Sequence, residues 1–305
     1  MDLIGEYKNG NCIVRIYENG TKVRYTDDDE FYPELAESLD VRITSKCGQG
    51  CPWCYEGNKP NGRDAELLGG EYMNFVNSLH PHTEISIGGN DLSHPQLKGF
   101  LNLMRAKGVI ANITVSQRQC ADNLGELVSL QNLGLIRGIG ISLEQPGEEL
   151  FNALKRLKNA VLHVVCGIVS EDELNVLKNK GVKVLFLGYK KKGRGLSYYK
   201  KNEELILKRI GELKKNLKDN FEYFKTEYAA VAFDNLALKQ LCVKDAVGKD
   251  AWDSFYMGDD GRFSFYVDLA KGVYAKSSTS ATTKKMEGKT VDEMFKSLQK
   301  TKKQK

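Results

Sequence analysis

The chain has 305 residues, 28% of them charged and 41% hydrophobic, and a formal charge of +5. That balance fits a globular protein with one large α/β domain and an appendage, or with two domains. No apolar run approaches the ~20 residues of a membrane span, no signal-peptide pattern opens the chain, and seven cysteines in so long a chain suit the reduced cytosol better than a disulfide scaffold.

In chain order, Cys12-Ile-Val-Arg-Ile-Tyr17 and Thr21-Lys-Val-Arg-Tyr25 flank Glu18-Asn-Gly20, and Asn-Gly between extended runs predicts a hairpin. From Leu39 to about Gly188, short apolar strands alternate with amphipathic stretches. Strands are expected at Val41 to Thr44, Glu84 to Gly88, Ile110 to Val115, Gly138 to Leu143, Leu162 to Val169 and Val182 to Leu187. Helices are expected near Gly70 to Leu79, Pro95 to Lys107, Ala121 to Leu130, Glu148 to Lys158 and Glu171 to Lys178. Continuous Val/Ile/Leu strands followed by helices indicate a parallel sheet covered by helices. Six units are too few for a closed eight-stranded barrel, so the fold class is α/β, an open, partial (β/α)6 TIM-like barrel.

Beyond Gly195 the pattern predicts a charged helix over Asn202 to Leu217, then an irregular α+β extension with apolar runs at Tyr228 to Asp234 and Arg262 to Asp268. Phe263, Phe265, Tyr266 and Tyr274 read as strand core, Ser277 to Thr283 as a loop, and Thr290 with Glu293 as a capping box opening a last helix. The lysine-rich tail from about 300 frays. The expected division is a hairpin region over 1–36, a barrel over 37–200 and the extension over 201–305.

Chemistry concentrates in Cys47-Gly-Gln-Gly-Cys51-Pro-Trp-Cys54, directly after the first barrel strand. Iron–sulfur clusters are normally held by four thiolates, so three leave one iron open to a small ligand. Two alternatives stand beside this. Zinc normally takes four ligands and a second short-spaced pair, which the remaining Cys and His do not supply. A redox dithiol Cys51-Pro-Trp-Cys54 leaves Cys47 without a role.

In this segment the chain resembles the radical S-adenosylmethionine superfamily, with its Cys-x3-Cys-x2-Cys motif and an aromatic, Trp53, before the last cysteine. The resemblance implies that Cys47, Cys51 and Cys54 hold a [4Fe-4S] cluster whose fourth iron chelates S-adenosyl-L-methionine. One electron from a flavodoxin-like or ferredoxin-like donor then cleaves the sulfonium, and the resulting radical abstracts hydrogen from carbon. Gly88-Gly89-Asn90-Asp91 is similar to the Gly-Gly-Glu-Pro segment that holds the methionyl ammonium, with Asn90-Asp91 departing from it. Ser116, Ser142 and Glu144 fall at strand ends where the family contacts the ribose and carboxylate of the cofactor, each with an ordinary loop-capping role as the alternative.

The extension resembles that of peptide-modifying relatives, but only Cys242 lies beyond residue 170 and Lys276 stands where a ligand cysteine is expected, so no auxiliary cluster is implied. Cys242 is the candidate hydrogen-atom donor, while Cys166, in Val164-Val-Cys-Gly-Ile168, reads as core. The expectation is a cytoplasmic radical enzyme acting on a peptide or protein. Lys190-Lys-Lys-Gly-Arg194 motivates a nucleotide or RNA substrate as the alternative, and a catalytically degenerate, cluster-containing binding protein is a third reading.

Overall fold

The computed structural model describes residues 2–88 and 91–299. The chain opens with β1 (Leu3–Asn9), β2 (Cys12–Tyr17) and β3 (Lys22–Tyr25), an antiparallel three-stranded sheet in the order β1-β2-β3. The expected Asn-Gly hairpin is the β2–β3 half of it, and β1 is an additional strand. Cys12, Val14 and Ile16 alternate inward on β2 and form the small core that β1 closes.

The barrel elements follow in sequence as β4 (Ser38–Arg42), α1 (Met73–Asn77), β5 (Glu84–Gly88), α2 (Leu97–Ala106), β6 (Ile110–Ser116), α3 (Gln117–Asp122), α4 (Leu124–Asn132) and β7 (Gly138–Ser142). Next come α5 (Glu148–Arg156), β8 (Ala160–Val165), α6 (Glu171–Leu177), β9 (Lys183–Leu187), α7 (Gly193–Phe224) and β10 (Ala230–Phe233). The chain finishes with α8 (Asn235–Gln240), α9 (Val243–Val247), α10 (Lys249–Phe255), β11 (Ser264–Asp268), β12 (Val273–Ala275), β13 (Lys284–Lys285) and α11 (Val291–Leu298).

All six expected strands are present and lie side by side. The sheet is wider than six, however, because its order is β10-β9-β8-β7-β6-β5-β4-β11-β12-β13. Strand β10 adds in parallel to β9, and β11 adds in parallel to β4, so eight strands run in parallel before β12 pairs antiparallel to β11 and β13 antiparallel to β12. The fold is thus α/β with a mixed sheet and flanking helices, and the edge strands β10 and β13 are not paired to each other. Two stretches that read as an irregular extension therefore belong to the main sheet. Phe186 shows why β10 docks, since its ring lies 5.4 Å from Phe233 on β10 and 5.8 Å from Phe224 on α7.

The strands are not the continuous apolar runs expected from the sequence. They alternate, with Leu39, Val41, Ile85, Ile87, Ile113, Ile139, Ile141 and Leu162 nearly inaccessible on the helix-covered face. The opposite face carries Asp40, Arg42, Ser86, Gly88, Asn112, Thr114, Gly140 and Ser142. A closed barrel fills its interior with branched apolar side chains. Small and polar residues here leave that interior open.

Other boundaries shift for local reasons. The helix expected over Ala121 to Leu130 is two helices, α3 and α4, separated at Asn123. The charged helix begins at Gly193 rather than Asn202 and runs on to Phe224, with non-helical angles at Asn202 and Asn220. Thr290 and Glu293 form the expected reciprocal capping box of α11. His94 is a buried helix-entry residue, its Nδ1 accepting from Gln96 N at 3.1 Å. Phe263, Phe265, Tyr266 and Tyr274 are buried as expected. The lysine-rich tail from 300 lies outside the described residues.

The N-terminal sheet covers the strand-start end of the barrel. Arg137 and Asn159 both donate to Glu18 O, at 3.1 and 3.0 Å, and Lys183 donates to Asn19 O at 3.2 Å. Beneath this tip, the enclosed Glu37 carboxylate accepts from Arg24 at 2.8 Å. No helix among the described residues is long and apolar enough to cross a membrane.

Candidate active site

A cavity of about 910 Å³ occupies the concave face of the sheet. Its C-terminal end is formed by the loop that carries the three clustered cysteines. That loop is closed at its base: Ser45 N donates to Arg63 O at 2.9 Å, and Cys47 N donates to Lys59 O at 3.0 Å. Thr44 donates to Asp64 at 2.6 Å, and Lys46 pairs with the same carboxylate at 2.6 Å. Gly62 packs so closely on Ser45 that a Cβ there would stand 2.1 Å from Ser45 O.

The far side of the loop is held by the start of α7. Arg194 Nε donates to Cys51 O at 3.0 Å, and Gly195 N donates to Cys54 O at 3.3 Å. Gly193 has φ +53°, and a Cβ on it would meet Tyr55 O at 2.5 Å and Cys54 O at 2.9 Å. Glycine is therefore required at this close approach. Lys190 and Lys192 reach the loop over Ser277 to Thr283, with Lys190 Nζ bonding Ser278 Oγ at 3.1 Å and Lys192 Nζ bonding Ser280 O at 3.0 Å. Lys191 lies over the Tyr199 ring at 3.6 Å. The basic run that suggested a nucleic-acid partner is engaged within the fold.

Cys47, Cys51 and Cys54 are half-buried and all line the cavity. Among the described residues no three His, Cys, Asp or Glu side chains converge as ligands of a single ion do. A cubane cluster is bound at separate corners, so its thiols stand around a space rather than on one point. Burial first, and then the neighbouring Cys54, Glu144 and Cys47, push the Cys51 thiol above its usual range. A cationic metal centre reverses that repulsion, because a coordinating thiol is deprotonated outright. Gly88, at the end of β5, also lines the cavity, and a Cβ built on it meets nothing within 4 Å. Three thiols around open space beside an uncrowded strand end fit a [4Fe-4S] cluster with a ligand beside it.

The remaining expected residues divide. Trp53 lines the cavity and packs edge-on against Tyr198 at 5.9 Å. Ser142 lines the cavity at the end of β7. Ser116 does so too, but its hydroxyl caps α3 by accepting from Gln119 N at 3.1 Å, the ordinary structural role. Glu144 lines the cavity and approaches Arg118 at 3.5 Å. Gly89 and Asn90 lie outside the described residues, as does the side chain of Asp91. Cys242 is not brought to the site. It caps the short helix α9 with φ +52°, beside Lys214 of α7, and is absent from the cavity lining. This placement does not support its expected role as hydrogen-atom donor. Cys166 is 1% exposed and its thiol is pushed up to about 12 by burial, as fits inert core.

Several cavity residues escaped the sequence reading. Arg42 on β4 pairs with Asp268 on β11 at 2.7 Å and with Glu56, beyond the cysteines, at 3.0 Å. Asp40 precedes it on the same face of β4. His163 projects inward from β8 over Gly140, where any Cβ would overlap the imidazole at 2.3 Å. Burial, with Lys190 adding to it, lowers the His163 pKa from its usual 6.5 to about 4. Charged residues interrupting otherwise apolar strands were the available signal for all three.

No protein-family model matches the chain, and no curated protein sequence matches it. Solved structures do. Streptococcus suis SuiB bound to precursor peptide SuiA aligns with TM-score 0.56 and 11% identity over 87% of this chain and 65% of that one. SuiB bound to S-adenosylmethionine gives 0.55 and 11% over 85% and 65%, and SuiB in a third crystal structure gives 0.50 and 12% over 87% and 66%. The chain thus spans about 65% of the length of SuiB. What the chain shares with these structures is the fold.

Proposed function

We propose that the protein is a radical S-adenosylmethionine enzyme acting on a peptide or protein substrate. The observation that carries this reading is that Cys47, Cys51 and Cys54 together line one cavity in a SuiB-like fold. When bound, a [4Fe-4S] cluster with S-adenosylmethionine at its open iron supplies reductive cleavage of the sulfonium and a radical able to abstract hydrogen from carbon.

The chain's own residues have separate tasks in this reading. The three thiolates bind the cluster, and Arg194 and Gly195 fix the carbonyls of Cys51 and Cys54 so that the loop keeps its shape. Gly88 leaves room at the end of β5, while Ser142 and Glu144 offer polar atoms at the ends of neighbouring strands. Trp53 and Tyr189 contribute aromatic walls to the same cavity, Tyr189 being 2% exposed and bonded to Gly195 O. The division into a 1–36 region, a 37–200 barrel and a 201–305 extension is part of the reading, with Ser278 of the extension reaching the site through Lys190.

A peptide substrate is supported by the SuiB complex with a precursor peptide. A flavodoxin-like or ferredoxin-like protein is the proposed electron donor. The test is anaerobic reconstitution with iron and sulfide, followed by reduction in the presence of S-adenosylmethionine. The reading expects 5'-deoxyadenosine from the wild type and none from Cys51→Ala; a verified cluster that forms no 5'-deoxyadenosine overturns it.

A further inference from the structure

Five carboxylates line the described part of the cavity, and four of them are engaged. Glu56 pairs with Arg42 at 3.0 Å, Glu84 with Lys22 at 2.5 Å and Glu144 with Arg118 at 3.5 Å. Asp234 caps α8 and accepts from Gly188 N at 2.9 Å. Asp40 is the exception: among the described residues it has neither an ion pair nor a hydrogen bond. It stands on the inward face of β4, two residues before Arg42 and therefore roughly 6.6 Å deeper along the strand. Its register neighbours are Tyr266 on β11 and Ser86 on β5. The Tyr266 hydroxyl is turned toward Glu56, at 3.4 Å, and Asp268, at 3.5 Å.

The nearest candidate for an internal counter-ion is Lys190. Its ammonium is held elsewhere, 3.1 Å from Ser278 Oγ and 4.1 Å from the centre of the Tyr55 ring. Arg42 is likewise bound to Asp268 and Glu56.

The Asp40 side chain is open to the cavity, and a charge-assisted bond to an arriving cation gives its carboxylate the partner that the fold does not. Enclosure first raises the Asp40 carboxyl above its usual range; Lys190 opposes this, and Asp234, Asp260 and Glu56 add to it. The ionised carboxylate itself attracts a positive guest and repels a negative one. A neutral guest leaves the carboxylate unpaired.

We propose that Asp40 anchors a cationic side chain of the substrate, a lysine ammonium or an arginine guanidinium, which enters the cavity past the three cysteines. This rests on the peptide-directed reading given above and adds to it the charge of the residue that is held. The cavity, at about 910 Å³, is at the upper end of the range for small-molecule sites and has room for a side chain beside a cofactor. The shared chemistry is a cation, and the cofactor's own sulfonium or ammonium is the other possible source.

The experiment measures binding of N-acetyl-lysine N-methylamide and its arginine and norleucine counterparts to the reconstituted protein by calorimetry. A charge-assisted contact predicts that the lysine or arginine probe binds about tenfold or more tighter than the norleucine probe. Asp40→Asn abolishes that preference while melting no lower than the wild type, since among the described residues the carboxylate it replaces makes no ion pair or hydrogen bond. Asp40→Ser gives the same loss by a second route, and Lys190→Met, which removes a competing cation, tightens the lysine probe. Equal binding of all three probes, or a preference that survives in both Asp40 variants, overturns the proposal. Competition of the lysine probe with S-adenosylhomocysteine assigns the site to the cofactor and also overturns it. Failure of the radical reading shows differently, as absence of 5'-deoxyadenosine from the wild type whichever probe is present.

Discussion

The Arg194 guanidinium donates to the carbonyl oxygen of Cys51 at 3.0 Å, joining the first turn of α7 to a loop 143 residues earlier in the chain. Its second arm reaches Asn58 O. The thiols are therefore positioned by a helix that contributes no ligand.

Arg194→Met removes both bonds while keeping the side chain's length. We expect reconstituted Arg194→Met to retain less iron than the wild type, read as iron per chain after gel filtration. Gly193→Ala places a Cβ at φ +53° and 2.5 Å from Tyr55 O, so it should lower stability by about 2 kcal/mol and lower iron content as well. Wild-type iron retention in both variants contradicts the positioning role.

Arg42 and Asp268 join β4 to β11 through a pair with side chains 5% and 2% exposed. Removing one partner leaves the other charge enclosed. Asp268→Ala should cost about 3 kcal/mol or more in urea unfolding. Glu6→Ala, which breaks the exposed pair with Arg15, should cost within about 1 kcal/mol. Similar small losses in both variants would show that β11 is not integral to the barrel.

His163 gives a pH signature. Its folded pKa of about 4 lies below its usual 6.5, so between these values the unfolded chain binds a proton that the folded chain does not. Stability is complete above about 6.5, falls as the pH is lowered through that window, and loses nothing further from this group below about 4. Urea midpoints measured across the window should fall less steeply in His163→Gln than in the wild type. An unchanged slope places the protonation elsewhere.

Cys242 sits beside Lys214 and away from the cavity, so Cys242→Ser should leave both the rate of 5'-deoxyadenosine formation and the pattern of products unchanged. A product that keeps its abstracted position unsaturated only in this variant would restore the donor role.

The parts that were legible in the sequence are local ones. The spacing of Cys47, Cys51 and Cys54, the Asn-Gly turn at 19–20 and the Thr290–Glu293 box each depend on residues a few positions apart. The placement of β10 and β11 depends instead on partners far along the chain, such as Phe186 with Phe233 and Arg42 with Asp268. The inward face of the strands was misread because isolated Ser, Gly and Thr among Val and Ile resemble ordinary variation until the sheet assigns them to one side. Asp40 lies one residue before the strand expected at Val41 to Thr44, and only the structure shows that no partner among the described residues reaches it.

The most direct measurement of the central claim is Mössbauer spectroscopy of the anaerobically reconstituted protein, before and after S-adenosylmethionine is added. Three protein thiolates predict a [4Fe-4S] spectrum in which one iron subsite, and only that one, changes its parameters on addition of the cofactor. A cluster whose iron sites are all unaffected, in protein shown to bind S-adenosylmethionine, would contradict the account.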